Sequence, residues 1–332
     1  MLAYFVRRFL YMLVILALVS VASFYIVNLP PGSWIESYRL ELIAESGSAA
    51  NEAELEYLTR RYGLDRPLHI QYVRWIIPIV TRWDFGQSFE WKRPVWSLIK
   101  ERLLLTMIIS TASILFIYAV SIPIALYSAT RQYSLGDYFF SFVGLIGLAT
   151  PNFLLALVFM VVMLRVFNVS PGGLFSPEYL RAPWSLAKFW DMAKHLPVPV
   201  IVIGTAGTAS LIRVLRAQLL DELQKQYVNT ARSKGVAEWR LILKYPFRMA
   251  VNPILSTIGN LLPAIVSGSA IVSIVLGLPT TGPLLLRSLI AQDTYAASSM
   301  LMMLSFLTIF GVFISDLLLM WLDPRIRYER TN

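Results

Sequence analysis

Six stretches of this chain, each about the 20 residues an α-helix needs to cross about 30 Å of hydrocarbon, carry almost no charge. They are approximately Phe9–Leu29, Leu103–Thr130, Tyr138–Leu164, Leu196–Ile212, Pro253–Leu278 and Ala296–Leu322. Lipid offers the backbone no hydrogen-bond partners, so a spanning segment must be a helix or part of a closed barrel. Barrel strands would read as alternating segments of about 10 residues, which these runs are not. The expectation is an all-α membrane protein with about six transmembrane helices. Charge agrees, because Asp, Glu, Lys and Arg make up 15% of the chain against about 25% in a soluble domain. Pro151, Pro197, Pro199 and Pro263 fall inside the third, fourth and fifth runs. They predict kinked spans, since neighbouring helices re-satisfy the freed carbonyls.

The first run follows the basic stretch Met1–Arg8. It is longer than a secretory h-region, so it reads as an uncleaved span. Lys and Arg in the connections set the orientation. With the N-terminus inside, one side holds Arg7, Arg8, Arg131, Arg213, Arg216, Lys225, Arg232, Lys234, Arg240, Lys244, Arg248, Arg325, Arg327 and Arg330. The other side holds fifteen, but ten lie in Pro30–Arg102, a segment longer than the roughly 60 residues over which the rule applies. Fourteen against five places both termini in the cytoplasm of a multi-pass inner-membrane protein. The chain then divides into an N-terminal helix 1–29, an extracytoplasmic segment 30–102, a five-helix core 103–322 and a cytoplasmic tail 323–332.

In the outer segment, Asn51 can cap a helix over Glu52–Tyr62 that Gly63 ends. Tyr72, Trp75, Trp83, Phe85, Phe89, Trp91 and Trp96 follow. They read as an interfacial aromatic belt, with a docking surface for an outside partner as the alternative.

Several chemistries are excluded. Cysteine is absent and only His69 and His195 are present, without ligand spacing. No G-x-x-x-x-G-K-[ST] loop exists, and Ser97-Leu98-Ile99-Lys100 lacks the companion motifs that S-x-x-K requires. The runs hold only small polar residues away from their ends: Ser110, Thr111, Ser113, Thr205, Thr208, Ser210, Ser256, Asn260, Ser267 and Ser269. Most such residues serve helix packing, with the lining of a polar pathway as the alternative for a minority. Arg165 and Asp316 sit near span ends, so the titratable relay of an ion-coupled carrier is missing, as is a nucleophile–base pair for an embedded enzyme. The net charge of +9 follows membrane topology and does not call for nucleic acid.

The connection 217–252 between the fourth and fifth runs is the most informative stretch. Helical periodicity reaches Ser233 and then meets Gly235, suited to a left-handed turn. A second short helix, Ala237–Lys244, must stop near Tyr245 because Pro246 follows. From the residues alone this is either an amphipathic helix lying on the membrane or a short lever seated on a cytoplasmic partner.

Tyr227-Val228-x-Thr230-Ala231-Arg232-x-Lys234-Gly235 resembles the "EAA" loop of ATP-binding-cassette importer permeases, in the dipeptide, oligopeptide and nickel group. Further matches are Tyr4-x-x-Arg7-Arg8, Gly63-Leu64-Asp65-x-Pro67-Leu68, Gln71-Tyr72, Trp75, Asp84-Phe85-Gly86-x-Ser88, Lys194-His195-Leu196 and Leu322-Asp323-Pro324-Arg325-Ile326-Arg327-Tyr328. The likeness covers nearly the whole chain. Asn229, Tyr245-Pro246 and Pro30-Pro31-Gly32-Ser33-Trp34 depart from the group's pattern. The resemblance implies a type I importer permease fold and an ATPase-coupling role for Tyr227, Thr230, Ala231, Arg232, Lys234, Gly235, Glu238, Trp239, Arg240 and Lys244. It implies four partners besides membrane lipid: a second homologous permease, two cytoplasmic ATP-binding subunits and an extracytoplasmic solute-binding protein. ATP and Mg would be bound by those subunits, with no cofactor, metal or catalytic residue in this chain. Peptides are the implied cargo, with oligosaccharides, glycosides or nickel as alternatives.

Overall fold

The computed structural model describes residues 2–322 except 33, 37, 40–42, 44–51, 169–171 and 181; for 2–4, 52–54, 58, 61, 253, 255–264, 266, 267 and 315–322 it describes the backbone alone. Asn51 and the tail 323–332, on which two sequence expectations rest, lie outside the described residues. The described helices are α1 Leu2–Val27, α2 Glu52–Tyr62, α3 Leu68–Arg82, α4 Val95–Thr130, α5 Leu135–Ala149, α6 Asn152–Val166, α7 Leu186–His195, α8 Pro197–Leu223, α9 Gln226–Ser233, α10 Glu238–Lys244, α11 Pro246–Val275, α12 Thr281–Ile290 and α13 Thr294–Leu322. They fall into two compact units. One is Met1–Leu105 with Thr280–Ile309, the other Thr106–Pro279 with Phe310–Asn332.

Among the described residues four helices are long and apolar enough to cross a membrane: Phe5–Val27, Val95–Thr130, Pro197–Leu223 and Thr294–Ile314. The α5–α6 pair makes a fifth if it counts as one span. The remaining expected run, Pro253–Leu278, falls on α11, whose backbone is helical through positions 253 and 263.

The third run is not kinked as expected but broken, with α5 and α6 meeting at 105°. Thr150, pushed out of the α region by the following proline, is extended at φ −87°, ψ 121°. Pro151 is extended as well, at φ −59°, ψ 135°, so two consecutive residues leave the helix. Each 15-residue arm rises only about 22 Å, short of a full crossing. The fourth run is also unkinked. Pro197 and Pro199 occupy the first turn of α8, where the amide hydrogens they lack would have no intrahelical acceptor.

In the second unit α5, α6 and α11 all pack on α8. A Cβ added at Gly204 of α8 would stand 2.7 Å from a Phe116 ring carbon of α4, so the absence of a side chain there makes room for that ring.

The first unit has an aromatic interior. Phe24, Trp75 and Phe85 are buried with Ile79, Val95, Ile99, Met300 and Met303, and Trp75 Nε1 donates to Ser299 Oγ at 3.1 Å. Phe89 is buried between the rings of Trp34, Tyr62 and Tyr295. The interfacial-belt expectation is therefore corrected for Trp75, Phe85 and Phe89, which serve as a core; Trp83, 57% exposed, keeps the character of a surface ring. Aromatic rings at this density bury 150–250 Å² each, enough to hold a segment with little regular structure.

The turn 84–94 is fastened to α13 by Asp293. Its Oδ2 accepts from Ser88 Oγ at 2.5 Å, Phe89 N at 2.8 Å and Glu90 N at 3.1 Å, while Oδ1 accepts from Ala296 N at 3.0 Å and so caps α13. Burial raises the carboxyl above its ordinary range, against hydrogen bonds from Ser88, Ala296, Glu90 and Phe89 that favour the ion.

Candidate functional site

The hairpin α9–α10 carries every residue singled out for coupling. After α8 ends, Lys225 is extended at φ −68°, ψ 147° and starts α9. Helix α9 closes in a Schellman arrangement: Val236 N donates to Ala231 O at 3.3 Å and Gly235 N to Arg232 O at 3.0 Å. Gly235 sits at φ +75°, the left-handed position such a cap requires. Val236 then packs back on Ala231, the apolar contact that accompanies the motif. Helix α10 begins at Glu238, whose carboxylate faces the positive end of the helix dipole. Tyr245, at φ −112°, ψ −78°, is the single residue between α10 and Pro246 of α11.

The hairpin has its own small core. Val228 and Leu241 are 0% exposed and Ala231 is buried beside them, flanked by Val236, Ile242 and Tyr245. Arg232 then bridges the Gly235 turn to Glu238, donating from Nη2 to Oε1 at 2.6 Å and from Nε to Oε2 at 3.2 Å. The hydrogen bond from Arg232 lowers the Glu238 carboxyl and raises the guanidinium. A depressed carboxyl contributes its pair above its unfolded value of 4.5 and loses it as pH falls through the lower folded value. Cohesion from this pair is thus expected to be constant across neutral pH and to fade only in acid. Glu238→Gln should change uptake by no more than about twofold, since exposed ion pairs contribute little; an uptake assay checks this.

Tyr227 OH donates to the Glu222 carboxylate at the end of α8. Burial first, and Glu222 second, push the phenol up to about 12, so it stays a neutral donor. Thr230 Oγ1 donates back to Gln226 O at 2.9 Å. Lys234, Arg240 and Lys244 are exposed. Outward from the core stand Trp239, 63% exposed, and Leu243, 48% exposed, one helical turn apart. The Arg240 guanidinium lies 5.0 Å from the centre of the Trp239 ring. The result is a rigid apolar ridge edged with positive charge, with no side chains arranged for bond chemistry; among the described residues no group of His, Cys, Asp or Glu is placed to hold a metal.

The structure brings all ten expected residues into this one hairpin. Sequence reasoning missed the core residues Val228 and Leu241. The signal for the first was its i, i+3 spacing to Ala231. Leu241 could not be told from its apolar neighbours Ile242 and Leu243 without knowing which way α10 faces.

In the second unit α5, α6 and α11 pack on α8 and a helical hairpin is inserted between α8 and α11, a fold that the inner-membrane permeases of binding-protein-dependent transport systems share. The chain belongs to the family described as binding-protein-dependent transport system inner membrane component, whose model matches residues 121–328, with the family's N-terminal model matching residues 1–112. The oligopeptide transport system permease protein AppB of Bacillus subtilis is 32% identical over 329 residues, covering 99% of this chain and 100% of that one. A putative peptide permease of Brucella ovis is 29% identical, covering 98% and 99%. The inner membrane ABC transporter permease YejB of Escherichia coli O157:H7 is 28% identical, covering 98% and 99%. An inward-facing structure of the MetNI methionine ABC transporter aligns with a TM-score of 0.54 at 15% identity, over 69% of this chain and 97% of that chain, a likeness of fold.

Proposed function

We propose that this permease forms one half of the pathway of an ATP-driven peptide importer and that the α9–α10 hairpin is the point at which the ATPases drive it. The exposed Trp239–Leu243 ridge on a hairpin with its own core carries this reading, because an apolar ridge edged by Arg240 and Lys244 suits an apolar groove with an acidic rim. The peptide cargo rests on full-length likeness to permeases named for peptides and oligopeptides. The loop charges favour the hairpin and both termini in the cytoplasm and residues 30–102 outside. Two ATP-binding subunits, which hold ATP and Mg, would then meet this hairpin and its counterpart on a second homologous permease. A solute-binding protein delivers cargo on the opposite side.

Trp239→Ala is expected to cut uptake of a labelled oligopeptide by about tenfold or more, as loss of a buried aromatic anchor does at interfaces. It should also weaken retention of the ATP-binding subunits when the complex is purified from its native membrane. Full retention and full uptake would remove the ridge from the coupling. A chain that purifies alone and transports in liposomes without ATP would refute the importer itself.

A further inference from the structure

Helices α5 and α8 run antiparallel along a smooth seam. A Cβ added at Gly144 would lie 3.9 Å from Ala209 Cβ, and one added at Gly147 only 2.9 Å from Thr205 Cγ2. Ala209 Cβ also lies 3.7 Å from the Gly147 position, so Ala209 seats between the two glycines, with Thr205 further along α5. A seam of glycine, alanine and threonine brings backbones close but has few knobs to stop one helix sliding on the other. One polar contact lies on the same seam, where α5 begins. Arg216 of α8 forks onto Asp137, with Nε donating to Oδ1 at 2.8 Å and Nη2 to Oδ2 at 2.7 Å. Tyr133 N donates to the same carboxylate at 3.0 Å, and Ser134 Oγ caps the Asp137 amide at 3.2 Å. The carboxylate side chain is 3% exposed and the guanidinium 25%.

A buried ion pair adds little net stability, because desolvation offsets attraction; its best-attested service is to fix register. Arg216 stands two turns before the end of α8, which leads directly into the hairpin. We propose that the Asp137–Arg216 pair is a register pin. It stops α8 from slipping along α5 when the hairpin is displaced, so that the displacement reaches the broken span α5–α6. Its part in transport rests on the hairpin being driven by the ATPases; its pinning of register does not.

The chain has no cysteine, so an introduced pair reports alone. Gly144→Cys with Ala209→Cys places Cβ atoms near 3.9 Å, inside the roughly 3.5–4.5 Å range of a disulfide. In assembled complexes with the pin intact, copper-phenanthroline oxidation should link this pair and not Gly144→Cys with Ile212→Cys, one turn away. Asp137→Asn should make the offset pair link as well and cut uptake by about tenfold, as loss of one buried partner strands the other charge. Basal ATP hydrolysis should persist, and closing the 144–209 disulfide in that variant should restore uptake, which a purely stabilising role would not produce. Arg216→Lys, which keeps the charge but loses the fork, serves if Asp137→Asn fails to assemble. Cross-linking confined to the in-register pair in either assembled variant overturns the pin. Shifted cross-linking with normal uptake overturns its part in transport, while the Trp239→Ala result judges the hairpin reading separately.

Discussion

Replacing Gly235 by valine is expected to abolish uptake while the chain still inserts and assembles. The cause is conformational and not steric, since a Cβ at this position meets nothing within 4 Å. The left-handed region costs an ordinary L-residue about 1–2 kcal/mol, and a β-branched residue is a genuine outlier there. The two helices joined at this turn have 8 and 7 residues, below the roughly 12–15 at which helices persist unaided. Their geometry is held by three buried side chains and one exposed ion pair, a margin that the valine penalty consumes. Gly235→Asn should retain most uptake, because asparagine visits this region, with Gly235→Ala between the two. Equal loss for all three substitutions would point to a steric cause, and normal uptake by the valine variant would remove the turn from the mechanism. Oligopeptide uptake normalised to membrane-inserted protein is the measurement.

Asp293→Ala should have the largest effect on stability. The carboxylate is the acceptor for Ser88 Oγ and for the amides of Phe89, Glu90 and Ala296, and Ser88, Phe89 and Ala296 are buried. Each buried donor left unsatisfied costs about 1–3 kcal/mol, so a loss of at least roughly 3 kcal/mol is expected for the three. Asp293→Asn keeps one acceptor oxygen but turns donors toward donors, and should fall between wild type and alanine. Protease nicking within residues 84–94 in membrane vesicles checks this, with nicking rising from wild type through asparagine to alanine. An unchanged nicking rate for Asp293→Ala would mean that the aromatic core holds this turn without the latch.

The hairpin was readable because its signals are local. Gly235 and Pro246 each act within one residue, so the stop after Ser233 and the stop at Tyr245 needed no tertiary knowledge. Gly63, at φ +68°, ends α2 at Tyr62 for the same reason. The third span was misjudged because a proline in a membrane helix kinks or breaks it according to whether neighbours re-satisfy the backbone, and Pro151 cannot report on its neighbours. The aromatic return was misjudged because a membrane belt and a buried aromatic core have the same composition; only the packing of Trp75 against Phe24 and Ser299 separates them. The Asp293 latch and the Asp137–Arg216 pair join positions 205 and 79 residues apart, beyond the reach of any periodicity.

Tyr245 is the whole of the linkage between α10 and α11, and Gln224 and Lys225 are the whole of it between α8 and α9. Joints this short have no slack. One added residue at position 245 would reset the angle between α10 and α11 and would swing the Trp239 ridge away from whatever it meets. The connection between α6 and α7, where 19 residues separate Val166 from Leu186, is long enough to take added length beside its fastened stretch at Gly173–Ser176. Across the evolution of such permeases, insertions and deletions should therefore accumulate between α6 and α7 and be purged at Gln224–Lys225 and Tyr245, however freely the side chains there are exchanged.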